Sequence, residues 1–450
     1  MEKEALDFGT LRVSGLFRKL FVPTLLGMVS VSVVTVADGV FVGHGVGSDG
    51  IAAVNICIPL LMLFTGLGLM TGVGCSVASS ILLARRKVRA ARVEVTQAMA
   101  FVTVVALVAL TPLLLFPQQV AAWLGASEQL LPMAADYLAW FVPGILFSLW
   151  IAVGLFVVRL DGAPRLAMWS SVIAAAANVV LDWLFIFPLG WGVMGAALAS
   201  TVATGIGGCI VVYYLGRRAR TLRLHPLGRS RRSLRSALRN VARQCRIGSS
   251  AMLGEATMAV LMFTGNQVFM HYLGDAGVGA FGIACYYTPF IFMVGNAIAQ
   301  SAQPIISYNF GTSDWMRVVA ARRIALLTAL GCGAFVAAAF VGFPRALVGL
   351  FVDSADPAAR IAVAGFPWFA SGCVFFVVNL AAIGYFQSLE RVRPATVFAL
   401  LRGLVLLVPS FALLPRLLGE PGIWLAMPLS EALTCSAMAA YAIGNRLRRE

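Results

Sequence analysis

The chain has 450 residues, 60% hydrophobic and 12% charged, with a formal net charge of +15. A soluble domain carries roughly 25% charged residues, so the composition excludes a soluble globular protein and points to a membrane chain. The positive charge does not argue for nucleic acid, because membrane topology accounts for where the basic residues sit.

Apolar stretches long enough to cross a bilayer recur along the chain, whereas strand patterns of alternating polarity do not. Lipid offers the backbone no hydrogen-bond partners, so the spans are expected to be helices. In the first half they are predicted at 16–42, 51–83, 93–116, 131–158, 165–188 and 193–215. The arm before the first span carries Lys3, Arg12, Arg18 and Lys19. That first stretch is too long for a cleavable signal and is followed by further spans. It contains Pro23, where a helix loses a backbone donor and can bend, and Asp38 toward its outer end.

The second span holds Gly66, Gly68, Gly72 and Gly74. No strand precedes them, so a phosphate loop is excluded, and the Gly68–Gly72 spacing suits close helix approach instead. The connection that follows is basic, with Arg85, Arg86, Lys87, Arg89 and Arg92. In the fifth span Asn178 precedes Asp182 by four residues, which sets both on one helix face. Counting back from Pro188 places Asp182 roughly 9 Å inside the outer end of its helix. Thr201 and Thr204 on the sixth span supply hydroxyls nearby in sequence.

The central connection, 217–246, contains eleven arginines and no acid. Leu234, Leu238 and Val241 make it amphipathic in places, a pattern suited to anionic headgroups. Second-half spans are predicted at 248–272, 278–307, 322–350, 361–388, 395–418 and 422–444. Glu255 lies about two turns into the seventh span and has no cationic neighbour in sequence. Pro304 interrupts the eighth. Arg402 and Glu431, of opposite sign in adjacent spans, are expected to form a structural ion pair. The eight cysteines and three histidines show no metal-ligand spacing, so no metal or other cofactor is expected.

The connections at 43–50, 117–130, 189–192 and 273–277 have no Lys or Arg, in contrast to those that alternate with them. The positive-inside rule therefore places both termini and the central connection in the cytoplasm. The two halves also repeat. At a shift of 227 residues Gly47, Gly50 and Gly68 fall on Gly274, Gly277 and Gly295, and at 230 Gly154, Pro164 and Gly192 fall on Gly384, Pro394 and Gly422. Even span numbers per half make the repeats parallel. The expected organisation is an N-lobe at 1–216, an Arg-rich linker at 217–246 and a C-lobe at 247–450.

An acid in mid-bilayer costs about 2.5–3.5 kcal/mol on insertion scales, so each needs a reason. Hydrogen bonding to a neighbouring helix or contact with interfacial water is the structural alternative for Asp38 and Asp182. The repeat weighs against it, since their counterparts are Gly265 and Ala412, and that of Asn178 is Val408. Two carboxylates in a low-dielectric site would repel and hold a proton between them, or a sodium ion with Asn178 and a hydroxyl such as Thr201. For Glu255, packing and contact with an ion or substrate both remain open.

Several motifs now converge. Pro23, the run from Ala37 to Gly43, Asn178–Asp182 with the following Gly192–Ala197, and Gln303–Gly311 together resemble the multidrug and toxic compound extrusion (MATE) family over essentially the whole chain. The resemblance implies twelve helices in two six-helix lobes facing a central cavity. It implies antiport of amphipathic or cationic drug-like compounds against H+ or Na+, in the inner membrane of a bacterium, with no obligate protein partner. It makes Asp38, Asn178, Asp182 and Thr201 the N-lobe cation site, Pro23 the hinge of a bending first helix, and Glu255 a C-lobe acid. A flippase for a lipid-linked saccharide is the rival, but would want a cationic cavity. A membrane-embedded enzyme lacks any nucleophile–base pair or HExxH motif here.

Overall fold

The computed structural model describes residues 7–228 and 230–447. Lys3 and Arg229 lie outside the described residues, as do the side chains of Arg231 and Arg232. The regular structure described is helical throughout. The first half comprises α1 (Val13–Gly45), α2 (Ser48–Ala84), α3 (Val88–Leu115), α4 (Pro117–Trp123), α5 (Leu131–Leu160), α6 (Pro164–Ile186) and α7 (Gly192–Tyr213). A π turn, Tyr214–Arg218, extends α7. The second half comprises α8 (Arg231–Gly311), α9 (Trp315–Gly342), α10 (Pro344–Gly349), α11 (Pro357–Ala370), α12 (Cys373–Ser388), α13 (Val392–Leu400), α14 (Leu407–Leu418) and α15 (Glu420–Leu447). A π turn, Leu401–Val405, joins α13 to α14.

Ten of these helices, counting α13 with α14, are long and apolar enough to cross a bilayer among the described residues. One of the ten is α8, which breaks at Gly274 (φ +63°, ψ −158°), a backbone conformation essentially reserved for glycine, and so supplies two spans. Another span comes from α11 and α12, bent by 47° where they meet. The chain is therefore an all-α membrane protein of twelve spans, as the sequence predicts.

Five features differ from expectation. The ninth span does not run to 350, because Pro344 pulls Phe343 out of helix (φ −129°, ψ 40°) and starts α10. Pro117 does the same to Phe116 (φ −131°, ψ 49°) and starts α4. These two short helices superpose at the repeat shift of 227. The tenth span is two helices rather than one. The eleventh is continuous only through a π turn. Finally, half of the expected 217–246 linker is helix, since α8 begins at Arg231, capped by Ser230 Oγ accepting from Ser233 N at 3.2 Å.

The chain forms two compact units, one of residues up to Met252 with Ser307–Trp315, the other of Leu253–Ile306 with the residues from Met316 onward. In the first unit α5 is central, packing on α2, α3 and α7, while α1 packs on α6 and α6 on α7. Gly68 and Gly72 let α2 approach Ala152 and Phe156 of α5. Gly74 lies against the backbone of Gln244, so α2 also meets the beginning of α8 without intervening side chains. In the second unit Phe269, Phe366 and Phe369 pack edge-on around Trp424 of α15.

Asp161, just past α5, fixes the exit of the first half. Its carboxylate accepts from Tyr214 Oη and from the backbone N–H groups of Arg220, Thr221 and Leu222, all at 2.8 Å. Arg92 Nε donates to Thr221 O at 2.7 Å, and His225 N donates to Thr96 Oγ1 at 2.9 Å. Residues 220–225 are thereby laid across the ends of α3, α5 and α7.

Candidate functional site

Within the first unit α1 and α6 carry Asp38 and Asp182 to one another. Asp182 is fully buried (0% exposed), Asn178 is buried and Asp38 half-buried. The two carboxyls lie within hydrogen-bonding reach of each other. One Oδ1 of each is buried without a hydrogen-bond partner. Oriented to satisfy its neighbours, the Asn178 amide donates to Asp182 Oδ2 at 3.3 Å and accepts from Ser200 Oγ at 3.2 Å and Ser200 N at 3.3 Å. Tyr137 of α5 is buried close enough to interact electrostatically with both acids. Cys57 of α2 lies beside it, its thiol directed to Ala53 O and Ala134 O.

Two carboxylates this close, in a site built by five helices, are stable only with a proton or a small cation between them. Unpartnered oxygens in a low-dielectric site cost free energy until such a partner arrives. The cluster can therefore switch between an empty, self-repelling state and a neutralised one.

Thr201 is placed differently from the sequence reading. Its hydroxyl donates to Trp140 O at 2.6 Å, tying α7 to α5, and the hydroxyl that meets Asn178 is that of Ser200. Adjacent helical residues point about 100° apart, so only one of the two can face α6. Sequence spacing alone could not choose between them. Tyr137 carries no signal in the sequence, because a tyrosine in an apolar span reads equally well as an interfacial aromatic.

Pro23 is buried in α1, about 22 Å before Asp38 along the helix axis. Between them Ser30, Ser32 and Thr35 return their hydroxyls to the carbonyls four residues back, at 2.8, 3.2 and 3.2 Å. Such back-bonding bends helices, and Pro23 removes a further backbone donor. The helix is continuous here; the bond lost to Pro23 falls in the turn before it, at the Lys19 carbonyl, and the back-bonded turns follow between the proline and the acid.

In the second unit Glu255 is half-buried in α8, with no hydrogen bond or ion pair among the described residues. It does not join the Arg402–Glu431 pair. Arg402 donates through Nε at 2.9 Å and Nη2 at 2.7 Å to Glu431 Oε1, while Asn379 Nδ2 donates to Glu431 Oε2 at 2.6 Å. The guanidinium lies over the Phe376 ring at 4.4 Å. Ser430, the counterpart of Ser200 in the repeat, donates through Oγ to Arg402 O at 2.8 Å. Asn379, which completes the network, is a residue that the sequence reading missed.

The MatE family matches residues 23–184 and 251–412, one match in each half of the chain. This chain belongs to the MatE family. Membership makes it a multi-pass membrane transporter and not an enzyme. The multidrug export protein MepA of Staphylococcus aureus strain MSSA476 is 23% identical over 433 residues, covering 94% of this MatE chain and 93% of that protein. MepA of Staphylococcus saprophyticus is also 23% identical, covering 95% and 92%. Among solved structures, a MOP-superfamily transporter from Pyrococcus furiosus shares the fold with a TM-score of 0.89 at 20% identity, covering 100% of this chain and 98% of that one. A multidrug resistance MATE transporter in an outward-facing conformation gives 0.89 at 21% identity, with the same coverage.

Proposed function

We propose that this MatE-family protein exports drug-like amphipathic or cationic organic compounds in exchange for H+ or Na+, with the ion acting at Asp38 and Asp182. The observation that carries the reading is the facing pair of carboxylates with unpartnered oxygens, one carboxylate accepting from Asn178, with Tyr137 buried nearby. The relatives named as multidrug export proteins support the class of substrate. A cation entering the pair removes the repulsion between α1 and α6 and frees α1 to change shape in the weakened turns on either side of Pro23. The ion drives transport because it binds the states before and after that change with different affinity. Glu255 is available for contact with substrate or ion. The arginine-rich connections support cytoplasmic termini in the inner membrane of a bacterium, and no cofactor or protein partner enters the scheme.

The test is dye transport in inverted vesicles, energised by a proton gradient and separately by a sodium gradient. Asp38→Asn and Asp182→Asn should each abolish the response to the effective gradient while leaving the amount of protein unchanged. Full transport in both variants would overturn the reading.

A further inference from the structure

The cytoplasmic start of α8 is held on the first unit along one face. Val241, Gln244 and Gly248 are turned inward, Asn240 Nδ2 donates to Gln97 Oε1 at 2.9 Å, and Gln244 Nε2 donates to the Glu94 carboxylate. The other face is exposed among the described residues. Leu234 and Leu238 are 63% and 64% exposed, and Arg235 and Arg239 are exposed beside them. Leucines four residues apart form one stripe, and the arginines, one residue on, form the stripe next to it.

The depth of this face follows from α2. Gly74 lies against Gln244 and Met70 against Gly248, so the two helices run antiparallel in a fixed register. Carried on, that register sets Leu234 level with Ala84, the last residue of α2. Exposed Arg85, Arg86 and Lys87 follow immediately. Leucines at a level where the adjacent helix turns into a run of cations lie where hydrocarbon gives way to headgroups.

We propose that Leu234, Arg235, Leu238 and Arg239 form a docking surface for anionic phospholipid headgroups of the cytoplasmic leaflet. At the cytoplasmic end of a helix that runs alongside a spanning one, exposed leucines meet the acyl boundary and the long arginine side chains next to them reach the phosphates, the two stripes seen here. Guanidinium groups match phosphate geometry in particular. No Asp or Glu occurs in 217–246 to neutralise these arginines from within. A zwitterionic lipid would bring its own compensating cation, and a soluble phosphate would leave the leucines in water.

The full-length protein, carrying a photoreactive benzophenone side chain in place of Leu238, would be placed in nanodiscs of mixed phosphatidylglycerol and phosphatidylcholine. Irradiation and mass analysis then give the ratio of the two lipid adducts. Each arginine near an anionic surface is worth roughly five-fold in local enrichment. The phosphatidylglycerol-to-phosphatidylcholine adduct ratio should therefore exceed the bulk ratio by about twenty-five-fold for the two arginines together, and R235Q/R239Q should return the ratio toward bulk. The same enrichment with 10-fold excess inorganic phosphate present is expected, because a free anion lacks the acyl chain. An adduct ratio equal to bulk in the wild-type arginine background, the absence of any lipid adduct, or loss of enrichment to inorganic phosphate would each overturn the proposal. Unchanged Asn240–Gln97 docking, read as unchanged size-exclusion profile and melting, keeps misfolding out of the comparison.

Discussion

Replacing Glu431 by glutamine would leave the Arg402 guanidinium buried beside a neutral amide. The native pair is 2% and 3% exposed, with two hydrogen bonds from Arg402 converging on one oxygen and Asn379 holding the other. Breaking a buried pair by removing one partner costs about 3–5 kcal/mol, because the remaining charge stays desolvated. The Phe376 ring at 4.4 Å softens this only in part, since a cation–π contact contributes about 2 kcal/mol when desolvated, and it is present in both states. Glu431→Gln is thus expected to lower stability by about 3–5 kcal/mol. The double variant R402M/E431M, apolar and of similar volume, should fall within about 1 kcal/mol of the native protein. Reversible unfolding in mixed micelles titrated with dodecyl sulfate, followed by circular dichroism, would measure all the states of the cycle. A cost below about 1 kcal/mol for Glu431→Gln, or a double variant no better than the single one, would refute the assignment of a charged, mutually dependent pair.

Asp161→Ala removes the acceptor for four donors, so trypsin should cleave after the arginines of 217–223 at least several-fold faster, measured on intact protein in detergent. Gly74→Leu should force α8 off α2 and cost about 1–3 kcal/mol or more, whereas Gly331→Leu, with open space at its Cβ, should melt like the native protein. Tyr137→Phe keeps the ring and removes only the hydroxyl near the two acids. It is expected to reduce ion-driven dye transport several-fold at unchanged expression.

The spans were legible because every one is an apolar run of bilayer length, and the glycine at 274 announced the break in α8 through its match with Gly47. What sequence concealed were breaks that leave hydrophobicity untouched. Pro344 sits within an apolar run, and the end of α9 there is decided by backbone sterics rather than by polarity. The π turn at Leu401–Val405 leaves no compositional trace either. At the acidic cluster, Asp38, Asn178 and Asp182 stood out because lipid penalises them. Ser200 and Tyr137 did not, because hydroxyl side chains are cheap enough in a helix to be common, and only the rotation of α7 and α5 decides which of them face inward. Arg402 and Glu431 declared themselves by sign, while the neutral Asn379 that completes them could not.

The bend between α11 and α12 has a genealogical consequence. The copies stay in register at 227 as far as Pro117 and Pro344, and by Gly154 and Gly384 the register has slipped to 230. Three residues entered one copy or left the other in between. In the first copy that stretch includes an unbroken α5; in the second it holds the joint at Ser371–Gly372. A length change taken up inside the bilayer as a looped-out strand of chain would expose backbone groups to hydrocarbon, whereas a tight joint between two helices keeps almost all of them bonded. Chimeras that exchange the two copies should therefore join cleanly at seams before Pro117 and Pro344 or after Gly154 and Gly384, and fail at any seam drawn through the interval between.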